Sequence, residues 1–507
     1  MKSNNLREVI GVVKLKTVKI TAALLSTVLL LGACGSPEPD SSEKPDSTEK
    51  ASTELKEVEL TWHYPLVQQQ SDQQLIEDEV NKITKEKINA TVKLLPIDIG
   101  NYGQKLNTVA AAREDIDLIW TGYLFNYEQN ARKGAFLPID DLLAQYAPNL
   151  MKDVPEYVWD GLRIDGEIHA IPNMQLNFSQ NGLLILKDLV DKYNIDVSKI
   201  KTFEDIEPVL EIIKQNEPDM IPYGGFGGDY YPYINNYWSV GPYSYVKRDD
   251  SSHTIVADLP EKDAVLELYR KWQLNGYFLK DAALAKQNDY LSKGKIAVNP
   301  TNTLKPGVES DAKTLNGGLD VVAVPISEVS TNGWPNTSDT AIGRYSKNPE
   351  RAMMFLELLN SDKELYNLLS YGIDGKHYEK VNDNQIKVKA ESGYNPNIGW
   401  VFGNTFNGYV RDDQPADMNE LIKKENENAT VNPYGAFRFN SDPVKTELAN
   451  IKAVQDEFDK GLYTGSFDLD KVLPEYKSRL EKAGKSIVVN EVKKQFDAWL
   501  TANGMKK

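Results

Sequence analysis

The sequence predicts an α/β protein: two successive runs of strand–helix units, followed by a helical C-terminal region. Three observations carry this. Short β-rich runs alternate with segments of helical apolar spacing from Val58 onward, a second such series opens at Leu183, and the chain from Val444 to its end reads as helices. Alternation of this kind builds a parallel or mixed sheet flanked by helices.

Taken in order, Val58 to Trp62 alternates apolar and polar residues as a strand does. Leu75, Ile76, Val80, Ile83 and Ile88 then fall at helical spacing over residues 72–88. A strand over 91–97, a helix over 102–112 and a strand over 116–120 follow. Ligands of open α/β sheets gather at the carboxyl ends of strands, which directs attention to Trp62-His63-Tyr64 and Trp120-Thr121-Gly122-Tyr123. A crossover is expected near residues 173–179. Beyond it come helices over 187–193 and 203–216, a strand over 220–223, a helix over 263–276, and strands over 295–299 and 319–325. Between them, residues 224–245 carry Tyr230, Tyr231, Tyr233, Tyr237, Trp238, Tyr243 and Tyr245 among glycines, prolines and asparagines, as a folded loop rich in flat side chains would. Pro349 opens an amphipathic helix to Leu359, since proline at the first helical position loses no hydrogen bond.

The N-terminus reads as an export signal. Lys14, Lys16 and Lys19 precede an apolar run from Ile20 to Leu31, too short to span a bilayer comfortably. It ends in Leu31-Gly32-Ala33-Cys34, which resembles a bacterial lipobox, and Cys34 is the single cysteine of the 507 residues. The resemblance implies removal of residues 1–33 and acylation of Cys34. The residues from Gly35 to Lys56 are too poor in apolar side chains to offset the entropy of ordering, so 34–56 is expected as a tether. The leader carries five basic residues and one acid, so the chain without it moves from a formal charge of −16 to −20. Such a surface repels nucleic acid and anionic lipid. With Cys34 acylated no disulfide or thiolate metal site remains, and stability must come from packing.

The order of several short motifs resembles the extracellular solute-binding proteins that serve ABC importers, the group whose better-known members bind maltose and other sugars. These motifs are Trp62-His63-Tyr64, Asp117-Leu118-Ile119-Trp120, Gly134-Ala135-Phe136-Leu137-Pro138-Ile139, the run from Asp165 to Pro172, Gly294-Lys295-Ile296-Ala297-Val298, and Asn348-Pro349-Glu350-Arg351-Ala352. Trp400-Val401-Phe402-Gly403-Asn404 and the residues from Phe437 to Trp499 look like the C-terminal extension of a Bacillus- and Paenibacillus-type subgroup. The resemblance implies a two-lobed, periplasmic-binding-protein-like clamp. Lobe one would be residues 57–175 plus 338–395, and lobe two 176–337 plus 396–507. It further implies a lipid-anchored receptor on the outer face of the cell membrane that captures an oligosaccharide. The expected partners are that small-molecule solute, the importer's permease subunits, and the membrane through the lipid alone. No nucleic acid is expected, and the chain is expected to act as a monomer.

Sugars present apolar C–H faces and rims of hydroxyls, so their sites combine aromatic platforms with carboxylates or amides. The candidate rings are Trp62, Tyr64, Trp120, Tyr230, Tyr231, Trp238, Trp334 and Trp400, and the candidate polar groups are Asp117, Asp229, Asn302 and Asn404. Trp159, Trp272 and Trp499 fall in helical patterns and are assigned to packing. Catalytic signatures are missing: Gly484-Lys485-Ser486 has Arg479 where a phosphate-binding loop needs glycine, and there is neither H-E-x-x-H nor G-x-S-x-G. His63, His169, His253 and His377 are too widely spaced to suggest a metal cluster. No catalytic residue, metal or cofactor is therefore expected. Three rival readings stand beside the sugar receptor. A receptor for a peptide or cationic solute would show a cleft dominated by carboxylates. An exported glycan-cleaving enzyme would set two carboxylates facing each other across the cleft. A cell-wall interaction lipoprotein would need no cleft.

Overall fold

The computed structural model describes residues 55–225, 235–331 and 338–505. Cys34, Asp229, Tyr230, Tyr231, Tyr233 and Trp334 lie outside the described residues.

Residues 55–507 fall in one compact unit, built around two sheets. The first holds Ala90–Asp98, Val58–Leu66, Leu118–Gly122, Ser338–Ile342 and Ala170–Pro172 in that spatial order. Its first three strands are parallel, while Ser338–Ile342 runs antiparallel to both of its neighbours. The second holds Val321–Pro325, Gly182–Leu186, Ile296–Thr301 and Ile221–Tyr223. Between the sheets, Phe178–Ser179 and Ser330–Thr331 pair as a two-stranded ribbon, so two crossings of the chain lie side by side.

Each sheet carries its own core. On the first, the helix Gln73–Ile88 buries Ile76, Val80, Thr84 and Ile88 along one stripe and ends at Asn89, whose φ of 45° breaks the helix. The helix Pro349–Ser361 lays Phe355 and Leu356 against the same sheet. It is tied there by Arg351, which donates to the carbonyls of Lys56 (3.1 Å), Ile88 (2.6 Å) and Asn89 (2.8 Å). On the second sheet, Trp272 is fully buried against Phe203 (5.1 Å) and Tyr223 (5.0 Å). The C-terminal helices Lys445–Tyr463, Leu469–Lys482 and Lys485–Ala502 join this second core through Ile451, Phe458, Leu462, Val488 and Phe496.

The structure departs from expectation in three places. Ser338–Ile342, every residue of it buried, is a strand that its polar start Ser338-Asp339-Thr340 conceals. Ile398, Val401 and Phe402 pack in the first core, which corrects the lobe boundary expected at residue 396. The first strand runs to Leu66, two residues beyond the predicted edge at Tyr64.

That last difference reassigns Trp62. Its ring is wholly buried, with Tyr64 at 5.1 Å, Phe355 at 5.5 Å and Phe402 at 5.7 Å. Truncating a fully buried aromatic loses its transfer energy and leaves a cavity, together about 3–5 kcal/mol. Trp62→Ala should lose that much in urea denaturation, and Trp499→Ala less, because Trp499 is only half-buried against Phe496 and Phe437.

Candidate functional site

The carboxyl edge of the first sheet is formed by Leu66, Asp98 and Gly122, where its three parallel strands end. Gly122, at φ 135°, turns the chain there, and Tyr123 emerges 62% exposed. Trp400, half-buried in a short 3-10 turn, stands 6.2 Å from Tyr123 with the two planes tilted by 37°. Both rings rest on Trp120, which is fully buried and meets Tyr123 edge-on at 5.9 Å and Trp400 at 5.4 Å. The result is an aromatic ledge with one exposed face.

A hydroxyl holds the ledge in place. Ser338 Oγ accepts from Trp120 Nε1 (2.8 Å) and Asn173 Nδ2 (2.9 Å) and donates to the Trp400 carbonyl (2.7 Å). Asn173 Nδ2 also reaches the carbonyls of Trp400 (3.1 Å) and Val401 (2.9 Å). The ribbon also ties to a strand end of the second sheet. Ser338 pairs with Gly122 and lies beyond the ribbon strand Ser330–Thr331, while Ser179 Oγ, on the other ribbon strand, donates to the Asn302 carbonyl at 2.8 Å. Asn302 itself is exposed, just past the end of Ile296–Thr301.

Several sequence candidates sit elsewhere, and each has a physical reason. Trp62 and Tyr64 are core residues of a strand that continues past them; the Tyr64 hydroxyl accepts from Gln73 Nε2 at 3.1 Å, and burial pushes its pKa up. Asp117 precedes Leu118–Gly122 and so lies at the amino end of that strand, away from the edge. There its carboxylate is already occupied, accepting from Thr61 N (2.9 Å) and Ser346 Oγ (2.6 Å). Trp238 is buried in the strand Tyr237–Gly241 with the Arg248 guanidinium 4.0 Å above its ring. Asn404 Oδ1 accepts from Phe406 N at 3.1 Å, closing a local turn. Of the described candidates, Trp120 and Trp400 come together and Asn302 lies exposed past a strand end of the second sheet, whereas Trp62, Tyr64, Asp117 and Trp238 are held elsewhere. Tyr123 went unselected although a glycine at a strand end was the signal that exposes it.

The strand Ser338–Ile342 also carries Asp339, 1% exposed, with neither carboxylate oxygen partnered among the described residues. Arg438 approaches it from the C-terminal region, donating to the carbonyls of Gly435 (2.6 Å) and Phe437 (2.9 Å) and to that of Gly161 in lobe one. Burial pulls the Arg438 guanidinium down to about 10, which leaves it a cation at neutral pH. Burial holds the Asp339 carboxyl well above the ordinary carboxylate range, an effect that Arg438 opposes.

Two α/β lobes whose strand edges meet at paired crossings, with an aromatic ledge at the meeting point, define a solute-binding clamp. The chain belongs to the bacterial extracellular solute-binding protein family, whose profile matches residues 66–365. Residues 433–501 match a domain of unknown function, DUF3502. A carbohydrate ABC transporter substrate-binding protein of Streptococcus pneumoniae is 30% identical over 83% of this chain and 87% of its own length. The polygalacturonan/rhamnogalacturonan-binding protein YtcQ of Bacillus subtilis is 23% identical over 72% of this chain and 75% of its own. Among solved structures, the N-glycan transport solute binding protein NgtS of Streptococcus pneumoniae is 28% identical and superposes with a TM-score of 0.77 over 88% of this chain and 99% of that one. Its complexes with Man1GlcNAc and Man5GlcNAc give 0.70 and 0.67. No helix among the described residues is long and apolar enough to cross a membrane.

Asp339 gives this region a pH dependence whose sign is fixed. A carboxyl with a raised native pKa keeps its proton in the folded state while the unfolded chain loses it above about pH 4, so native stability falls as pH rises from there. Asp339→Asn, which keeps the shape without the charge, should melt above wild type at pH 7. The difference should close toward about pH 4; a pH-independent difference in thermal melts would contradict the buried-carboxyl account.

Proposed function

We propose that this protein is a lipid-anchored receptor on the outer face of the cell membrane that captures an oligosaccharide and delivers it to an ABC importer. The observation that carries the sugar reading is the exposed Tyr123 ring beside Trp400 at the lobes' meeting edge. Flat apolar rings at a strand edge match the C–H faces of a pyranose. Relatives named for carbohydrate, N-glycan and fructooligosaccharide binding support the same class of ligand. The lower TM-scores against the sugar complexes of NgtS fit a clamp with its lobes apart, which ligand would draw together in proportion to its preference for the closed form. The anchor rests on Cys34 at the end of its signal-like run.

A thermal-shift screen over glycans, with Man1GlcNAc and Man5GlcNAc included as probes, tests the ligand class, since binding to the native state alone raises its melting temperature. Losing a stacked ring costs about 1 kcal/mol or more beyond its area. Tyr123→Ala and Trp400→Ala should therefore each weaken calorimetric affinity about tenfold, with a smaller loss of stability for the exposed Tyr123. Wild-type affinity in both would remove the ledge from the site. For the anchor, Cys34→Ala should release the protein to the medium or leave it unprocessed, and a variant still processed and membrane-bound would refute the lipid attachment.

A further inference from the structure

Residues 433–501 do more than add helices to the second lobe. Their first segment crosses the space between the lobes and closes a cavity of about 650 Å³ that no candidate from the sequence touches. One wall is the helix Tyr127–Arg132 of lobe one with its capping residue, presenting Asn126 and Gln129. A second is the hairpin of lobe two that carries Tyr243 and Tyr245. The third is the C-terminal segment itself, with Phe439 and Asn440.

The chemistry of the lining is specific. Aromatic residues of two walls and amides of the first and third line it together, the pairing that a sugar needs for its C–H faces and its hydroxyls, and Glu128, Arg132 and Asp442 add charged groups to the lining. The volume falls within the range of about 300–1,000 Å³ typical of small-molecule sites. Tyr243 sits at φ 54° after Gly241 at φ 153°, in the left-handed region that non-glycine residues seldom occupy. Backbone held in such a region clusters at ligand-contacting positions. Arg438 fixes the third wall, because its bond to the Gly161 carbonyl makes the C-terminal segment span both lobes. The cavity is also continuous with the ledge in sequence: Asn126 follows Tyr123 by three residues, and its Oδ1 accepts from Gln129 N at 2.7 Å, which leaves its amide N–H groups for a ligand.

The geometry points to a second sugar subsite in this cavity, one that takes the branch or far end of an oligosaccharide whose near end stacks on Tyr123 and Trp400. Supplying its third wall is then the role of the 433–501 domain. This inference rests on the oligosaccharide reading above.

Calorimetric titration of wild type, Gln129→Trp and Phe439→Ala with Man1GlcNAc and Man5GlcNAc tests it. Gln129 is exposed, so the tryptophan fills the cavity without entering a core. Wild type should bind Man5GlcNAc more tightly than Man1GlcNAc. Both variants should lose about tenfold or more on the larger sugar while staying within about twofold of wild type on the smaller one. Matching thermal melts of the unliganded proteins show that folding is intact, and Gln129→Ala serves as a second variant if the tryptophan perturbs it. If both sugars weaken equally, or neither weakens, the subsite is overturned while the ledge stands. If wild type binds neither sugar, the longest and shortest glycans that shift its melting in the screen replace them as probes, and if none does, the ligand class fails and takes the subsite with it.

Discussion

The ledge depends on one hydroxyl. Ser338 Oγ uses its full hydrogen-bonding capacity, accepting from an indole and an amide and donating to a carbonyl. Its three partners come from three separate passages of the chain: the strand carrying Trp120, the first crossing at Asn173, and the return segment at Trp400. Leaving any one of these buried groups unpaired would cost about 1–3 kcal/mol. The node therefore fixes the relative positions of the crossings and, through Trp120, the platform on which Tyr123 and Trp400 stand. Because these partners lie in or beside the first sheet and its core, the platform moves with that lobe as one piece.

The next residue shows the opposite condition. Side chains alternate across a strand, so Ser338 and Asp339 face opposite sides of the sheet. Ser338 is satisfied beneath the ledge, and Asp339 is buried with no hydrogen-bond partner among the described residues, on the side that Arg438 approaches. One short strand thus joins the ring platform on one face to the C-terminal segment on the other. A rearrangement that brought Arg438 onto Asp339 would relieve an unfavourable buried carboxyl. The same strand that positions the rings would register that change.

Most of the architecture was legible from spacing, because the helices and parallel strands of both lobes have the apolar periods that burial on one or two faces imposes. The helices 102–112 and 73–88 and the strands near 91–97 and 296–301 show this directly. Legibility failed where tertiary context decides. The strand Ser338–Ile342 begins with three polar residues because its faces are served by a hydrogen-bond node and an ionisable group rather than by apolar packing. For the candidate site, the sequence picked out Trp120 and Trp400 but not Tyr123, since aromaticity alone does not say which ring lies beneath and which on top. Trp62 and Tyr64 misled for a related reason: a strand end placed two residues early turns core residues into edge residues. Tyr243 stood out only as one ring of an aromatic-rich loop and Phe439 only as part of the C-terminal extension; nothing in the sequence joined them to Gln129, from which they lie 114 and 310 residues away.

The placement of charge bears on which ligand the ledge suits. A strongly acidic chain invites the thought of a cationic solute, yet Asp117 and Asp339, the acids nearest Trp120 and Ser338 in the chain, are both buried away from the rings. Asp117 is held at the far end of its strand by Thr61 and Ser346, and Asp339 is sealed from solvent on the face opposite the rings. Neither offers a carboxylate to a bound amine, and neither stands across the gap from the other as a glycosidic acid pair must. Most of the other acids are on the surface, where ion pairs such as Lys271 with Glu207 or Arg479 with Glu457 engage some of them. What Tyr123 and Trp400 present to a ligand is ring faces, which recognise a solute by shape. Ring faces also attract cations, so it is the family match and the carbohydrate-binding relatives that turn this chemistry toward a sugar.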